Sequence, residues 1–253
     1  LLNGSTDNTR QILEYYSKMG VVDWIEWPHM IPWINTQQLA YCHAIYRSRG
    51  HANWLALIDA DEFLFSPYPN NFADFLNDCI DLPAMVVYWD MFGTSGHKSR
   101  PKGLVTENYT LRLDVLHPEN KYRPLSKSIV QPHQVTAVST SHCFQTNYWP
   151  VLGFDENKAP VTRVSDIHPQ KRIKLNHYWP KSLEDWEDRM NRKTASPGYP
   201  VNYPGSPKLR RYQSVFKDIH RFEIEDTSCH FLLPALKQQL KKNPIPEGQT
   251  IPC

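Results

Sequence analysis

The stretch WLALIDADEFLF, residues 54–65, decides how the chain is read. An apolar run from Leu55 to Ile58 ends abruptly in Asp59, Ala60, Asp61 and Glu62, and apolar residues resume at Phe63. A short continuous apolar run of this kind marks a strand buried on both faces, the habit of a parallel sheet. In open α/β sheets, ligands bind beyond the carboxyl ends of the strands. Extended chain would send Asp59 and Asp61 to the same side. Carboxylates brought that close repel each other unless a cation lies between them. Oxygen ligands suit Mg²⁺ or Mn²⁺. The competing reading is a solvated turn whose acids cap the next helix. A calcium loop fits worse, because Phe63 and Leu64 stand where an oxygen ligand and a glycine are needed.

Outward from this stretch the pattern alternates. Ile12, Leu13, Tyr16 and Met19 recur at helical spacing after the turn residues NGSTDNT (3–9), with Ser5 or Asp7 as cap and Gly20 as stop. VVDWIEW (21–27) reads as a strand, Pro28 and Pro32 as breaks, and about 36–48 as a second helix. NFADFLNDCI reads as helix and AMVVYW (84–89) as strand. This rhythm predicts an α/β fold: a mostly parallel sheet flanked by helices, with a loop-rich C-terminal half. Short strands are expected near 109–115, 126–138 and 172–176, a helix over 182–193, a loop over 194–208, and a last amphipathic helix in FLLPALKQQLKK. The predicted organisation is one domain over 1–193, with 194–253 as a loop and helical extension packed on it.

Composition sets the outer bounds. The 253 residues are 40% hydrophobic, enough to bury a core. A formal net charge of +2 without a long basic run gives no nucleic-acid footprint. No apolar run approaches the roughly 20 residues that cross a bilayer. Cys42, Cys79, Cys143, Cys229 and Cys253 form no CxxC pair and have no regular spacing, so neither a disulfide framework nor a zinc site is indicated.

Seven motifs in order carry a resemblance: NGSTDNT (3–9), QQLAYCHAIYR (37–47), WLALIDADEFLF (54–65), YWDMFGTSGH (88–97), KSIVQP (127–132), SHCF (141–144) and NHYWPKS (176–182). In this order they resemble glycosyltransferase family 92 and its bacterial relatives among the family-2-like glycosyltransferases. The resemblance implies a GT-A type domain with a nucleotide-sugar donor, notably a UDP-sugar, a glycan or other hydroxyl acceptor, a Mn²⁺ or Mg²⁺ cofactor, and inversion at the sugar. It also implies a strand and helix upstream of NGSTD that this chain lacks.

The resemblance makes Asp61 a direct metal ligand, Asp59 a second ligand or a ribose contact, and His177 a late metal ligand. Glu62 is implied beside them, toward the metal shell or the sugar. Lys181 and Lys127 are diphosphate candidates, acting as point charges. Gly93 and Gly96 permit close approach of backbone to a sugar. Asp90, His97 and His142 are candidates for the base that takes the acceptor's proton, with Asp90 ranked first for its strand-end place. Tyr88, Trp89, Tyr148, Trp149 and Trp179 are candidate sugar-stacking rings. Two other classes compete: a metal-dependent phosphohydrolase with Asp59 as nucleophile, which Phe63 disfavours, and a non-catalytic carbohydrate-binding protein on a degenerate transferase fold.

Overall fold

A computed structural model describes residues 1–27, 36–67, 69–191 and 206–244. The expected breaks at Pro28 and Pro32, Cys253 and most of the 194–208 loop lie outside them. The central strand is β3 (Ala84–Met91), buried along nearly its whole length. Around it stand β1 (Leu55–Ala56), β2 (Glu62–Phe65), β5 (Ser126–Val130) and β10 (Lys174–His177), in the order β1-β5-β3-β10-β2. β8 (Gly153–Phe154) also pairs with β3, and β9 (Pro160–Val161) with β8. β4 (Leu111–Leu113) pairs with β11 (Glu223–Glu225), and β6 (Ala137–Thr140) with β7 (Cys143–Gln145).

The mostly parallel sheet expected from the sequence is corrected. β1–β5, β5–β3, β10–β2 and β8–β9 are antiparallel; only β3–β10 and β3–β8 are parallel. The physical reason lies in the opening stretch. The strand stops at Ala56, and Glu62 N–H donates to the Asp59 carbonyl at 3.1 Å, closing a turn. The apolar residues after the turn are then a second strand rather than a helix start. The apolar run reports burial correctly, but burial does not encode direction. VVDWIEW forms no long strand either: Leu2 and Glu26 make one parallel bridge.

Seven α-helices surround the sheet among the described residues: α1 (Thr9–Lys18), α2 (Thr36–Ser48), α3 (Phe72–Asp78), α4 (Val105–Asn108), α5 (Leu183–Asn191), α6 (Pro207–Ile219) and α7 (Leu233–Lys242). α3 begins where the Asn71 side chain accepts from Ala73 N–H. Its Phe75 packs with Met85, Val87, Ile129 and Leu175. Val86, between those two strand residues, meets Cys143, Leu152 and Val161 instead, as a period of two requires. Tyr41 and Ile45 of α2 join Leu57, Ala84, Val130 and Phe144. α6, which the loop composition around it concealed, places Ile219 against Met91, Leu113 and Trp179. No described helix is long and apolar enough to cross a membrane. Cys42, Cys79, Cys143 and Cys229 are free thiols.

Candidate active site

A cleft of about 890 Å³ opens over the Asp59–Asp61 turn. Asn3, Gln37, Tyr41, Trp89, His177, Trp179, Arg189, Lys208 and Tyr212 take part in its walls. The turn separates its three acids instead of stacking them.

Asp59 points toward α2 and β5. Its Oδ1 accepts from Gln37 Nε2 at 2.9 Å and from the Tyr41 hydroxyl at 3.3 Å, and its Oδ2 meets Lys127 Nζ at 3.0 Å. Lys127 is only 2% exposed, lying near the rings of Tyr41 and Trp89. Burial works against its charge, but Asp59, Glu62 and Tyr41 together raise its pKa. Glu62 is buried too, 3.7 Å from the same ammonium, and its Oε2 accepts from Asp59 N–H at 2.8 Å. Burial pushes the Glu62 carboxyl up to about 8, against the pull of Lys127. Lys127 therefore stands between two carboxyl groups, with Asp59 the nearer at 3.0 Å.

Asp61 points the other way. Its Oδ1 lies 3.6 Å from His177 Nε2, and its Oδ2 accepts from Arg189 Nη2 at 2.6 Å. Register explains the meeting, since β10 sets His177 opposite Glu62, beside Asp61. Burial works to raise the Asp61 pKa, but the polar contact with His177 and the charges of His177 and Arg189 outweigh it and hold the carboxyl well below its usual range. Trp89 packs on His177 with ring centroids 4.4 Å apart, and His177 Nδ1 is buried without a hydrogen-bond partner.

A divalent cation can be tested against this donor set. Two ligands of one ion at about 2.1 Å stand roughly 3.0–3.5 Å apart, close to the Asp61–His177 spacing. No trio of His, Cys, Asp or Glu suited to an ion gathers among the described residues. A carboxylate and an imidazole still fit an ion that completes its shell with water and substrate phosphate, as Mg²⁺ commonly does. Asp59 does not join them, because both its oxygens are already engaged.

The other expected residues fall apart in space. Asp90 follows Trp89 and so faces the opposite side of β3, away from the cleft. It lies 3.2 Å from Lys174 Nζ and 3.5 Å from Arg112 Nη1, in a buried cluster completed by Asp226. His97 turns its Nε2 to the Asn108 carbonyl at 3.0 Å. Its own carbonyl accepts from Leu183 N–H, fastening the start of α5. Gly96 occupies a turn at φ +77. Gly93 is pressed against the ends of Glu223 and His220, so its close approach is to protein. Lys181 is buried at the entry to α5, where its charge helps lower the Asp185 pKa. Tyr88 lies against His168; Tyr148 and Trp149 are exposed outside the cleft.

His142 alone of the acid–base candidates lies beside the site. Its ring meets Trp89 edge-on at 5.1 Å, and Nδ1 is 2.8 Å from the Ser126 carbonyl. That contact puts the proton on Nδ1 and leaves Nε2 as the acceptor. Burial lowers its pKa, against the bond to Ser126 and with the help of the Lys127 charge.

Sequence reasoning does not single out Gln37, Tyr41, Arg189, Lys208 or Tyr212. QQLAYCHAIYR stands out as a motif, but nothing in it says which side chain turns to Asp59. Arg189 and Lys208 read as ordinary surface cations.

The fold and cleft thus define a mixed α/β domain with an acidic turn and an imidazole at one opening. Comparison gives the family. The model of glycosyltransferase family 92 matches residues 2–198, and the chain belongs to that family. A family 92 protein of Arabidopsis thaliana is 31% identical over 233 residues, 83% of this chain and 39% of that protein. One from Ricinus communis is 33% identical over 122 residues, 46% of this chain and 21% of that protein. One from Oryza sativa subsp. japonica is 25% identical over 171 residues, 66% of this chain and 26% of that protein. The chain therefore matches well under half the length of these curated relatives. Asp61, His142, His177 and Arg189 lie inside the family match; Lys208 and Tyr212 lie beyond it.

Proposed function

We propose that this domain transfers a hexose from a nucleotide-sugar donor, a UDP-sugar, to a hydroxyl of a glycan, with inversion and with help from a divalent cation. The observation that carries the reading is the Asp61–His177 pair at 3.6 Å in the roughly 890 Å³ cleft. Asp61 and His177 are the residues to hold Mn²⁺ or Mg²⁺. When bound, such an ion offsets the negative charge of a departing diphosphate.

The chain's own residues supply the rest. Trp89 fixes the His177 ring by packing on it. Lys127, Gln37 and Tyr41 hold Asp59 in one orientation and so fix the shape of the turn that carries Asp61. Trp179 and Tyr212 offer apolar ring surface to sugar or base. His142 takes the acceptor hydroxyl's proton on Nε2 as the new bond to the sugar forms and the bond to the diphosphate breaks. A phosphohydrolase with Asp59 as nucleophile fits less well, because Lys127, Gln37 and Tyr41 occupy both of its oxygens.

The test is turnover. UDP-sugars, Mn²⁺ and a panel of glycans are incubated with the protein, and glycoside, UDP and inorganic phosphate are measured. Glycoside and UDP are expected, with at least a hundredfold loss in His142→Ala, in the range of removing a general base. Phosphate release without a glycosylated product would overturn the reading.

A further inference from the structure

Asp61 has two oxygens, and a cation already stands at one of them. Arg189 is in the last turn of α5, with its side chain 31% exposed. Its Nη2 donates to Asp61 Oδ2, and its guanidinium lies 5.7 Å over the ring of Trp179. Trp179 is itself braced by Trp186 and Tyr212, at centroid separations of 4.9 and 5.0 Å. The guanidinium therefore rests between a carboxylate and a ring on the cleft wall, without being enclosed.

The helix that carries it is fixed at its other end. Leu183 and Glu184 N–H donate to the carbonyls of His97 and Lys98. Ser182 and Asp185 exchange hydrogen bonds in a capping box, and Arg100 pairs with Asp185 and Asp188. With α5 held, only the Arg189 side chain has to turn for its partner to change.

A divalent cation on Asp61 would stand within a few ångströms of the guanidinium. Like charges at such range repel, so the ion and Arg189 compete for one carboxylate. A released guanidinium in this cleft has a natural second partner, since its planar fork matches phosphate oxygens. We propose that Arg189 is an exchangeable counter-ion: it neutralises Asp61 while no divalent cation is bound, and turns to the diphosphate of the nucleotide when one arrives. The inference rests on the reading of Asp61 as cation ligand. It gives Arg189 opposite effects on two ligands, opposing the ion alone and aiding the nucleotide once the ion is present, and so couples the two binding events.

The test measures Mn²⁺ alone, and UDP in saturating Mn²⁺, on wild type, Arg189→Gln and Arg189→Lys by titration calorimetry. Losing a charge-assisted hydrogen bond shifts affinity by about tenfold. Arg189→Gln is expected to bind Mn²⁺ about tenfold more tightly and UDP about tenfold more weakly. Arg189→Lys keeps the charge without the fork and falls between them on both. Variants whose two affinities stay at wild-type values, or move in the same direction, overturn the counter-ion role alone. Wild type that binds neither Mn²⁺ nor UDP overturns the site reading and this inference together.

Discussion

Lys127 shows how much one side chain decides. Sequence offers it as a contact for the diphosphate. In the structure it is a buried cation between Asp59 and Glu62, and its charge is spent on holding Asp59. Asp59 is 37% exposed and keeps Gln37 and Tyr41 as partners, so losing Lys127 costs less than the about 3–5 kcal/mol of a fully buried pair. Lys127→Met is expected to lose about 1–2 kcal/mol of stability, read as a lower urea midpoint with an unchanged slope. A midpoint equal to wild type would mean that Lys127 does not anchor the turn. The role is illegible in sequence for a physical reason: a lysine in a strand points to water or to the core by parity, and parity is set by the partner strand. The same ambiguity explains Asp90. Its strand-end place is legible in the sequence, but which face of β3 looks onto the cleft depends on β10, more than eighty residues later in the chain.

At the scale of elements, local signals serve well and pairing signals poorly. α2 lies at Thr36–Ser48 as expected, and β3 and β10 fall close to their expected places, while the stretch expected as strand over 126–138 is β5 only as far as Val130 and then turns at Pro132–Gln134. The antiparallel order does not follow from those runs, because β1 and β2 flank a tight turn instead of a helix. Neither does the attachment of β11 to β4, which the buried cluster of Asp90, Arg112, Lys174 and Asp226 secures. Burial works to raise the Asp226 pKa, but hydrogen bonds from Lys174, Ser228 and Arg112 and the Lys174 charge hold it well below its usual range. A carboxyl whose folded pKa is depressed stabilises the fold above its unfolded value, near 3.9, and that contribution is lost as pH falls through the folded value. Below about pH 4 the melting temperature is therefore expected to fall more steeply for wild type than for Asp226→Asn. The variant is already weakened at neutral pH. Parallel pH profiles would show that Asp226 does not drive the acid loss.

At the scale of the whole molecule, the C-terminal segment helps build the site. Ile219 of α6 seals against Met91 and Trp179, and α6 brings Lys208 and Tyr212 to the cleft. Ordered motifs make the family legible, and they single out Asp61 and His177 from sequence alone. What they leave out is the wall of α5 and α6, whose side chains look like those of any amphipathic helix. In the proposed site, Asp61 and His177 together hold the cation through which the nucleotide binds. Calorimetric titration of UDP, with and without Mn²⁺, on wild type, Asp61→Asn and His177→Ala tests it most directly. Mn²⁺-dependent binding is expected in wild type and its loss in both variants, measured at a temperature where each variant is still folded and melts cooperatively. UDP binding that is equally tight with Mn²⁺ in all three proteins would contradict it.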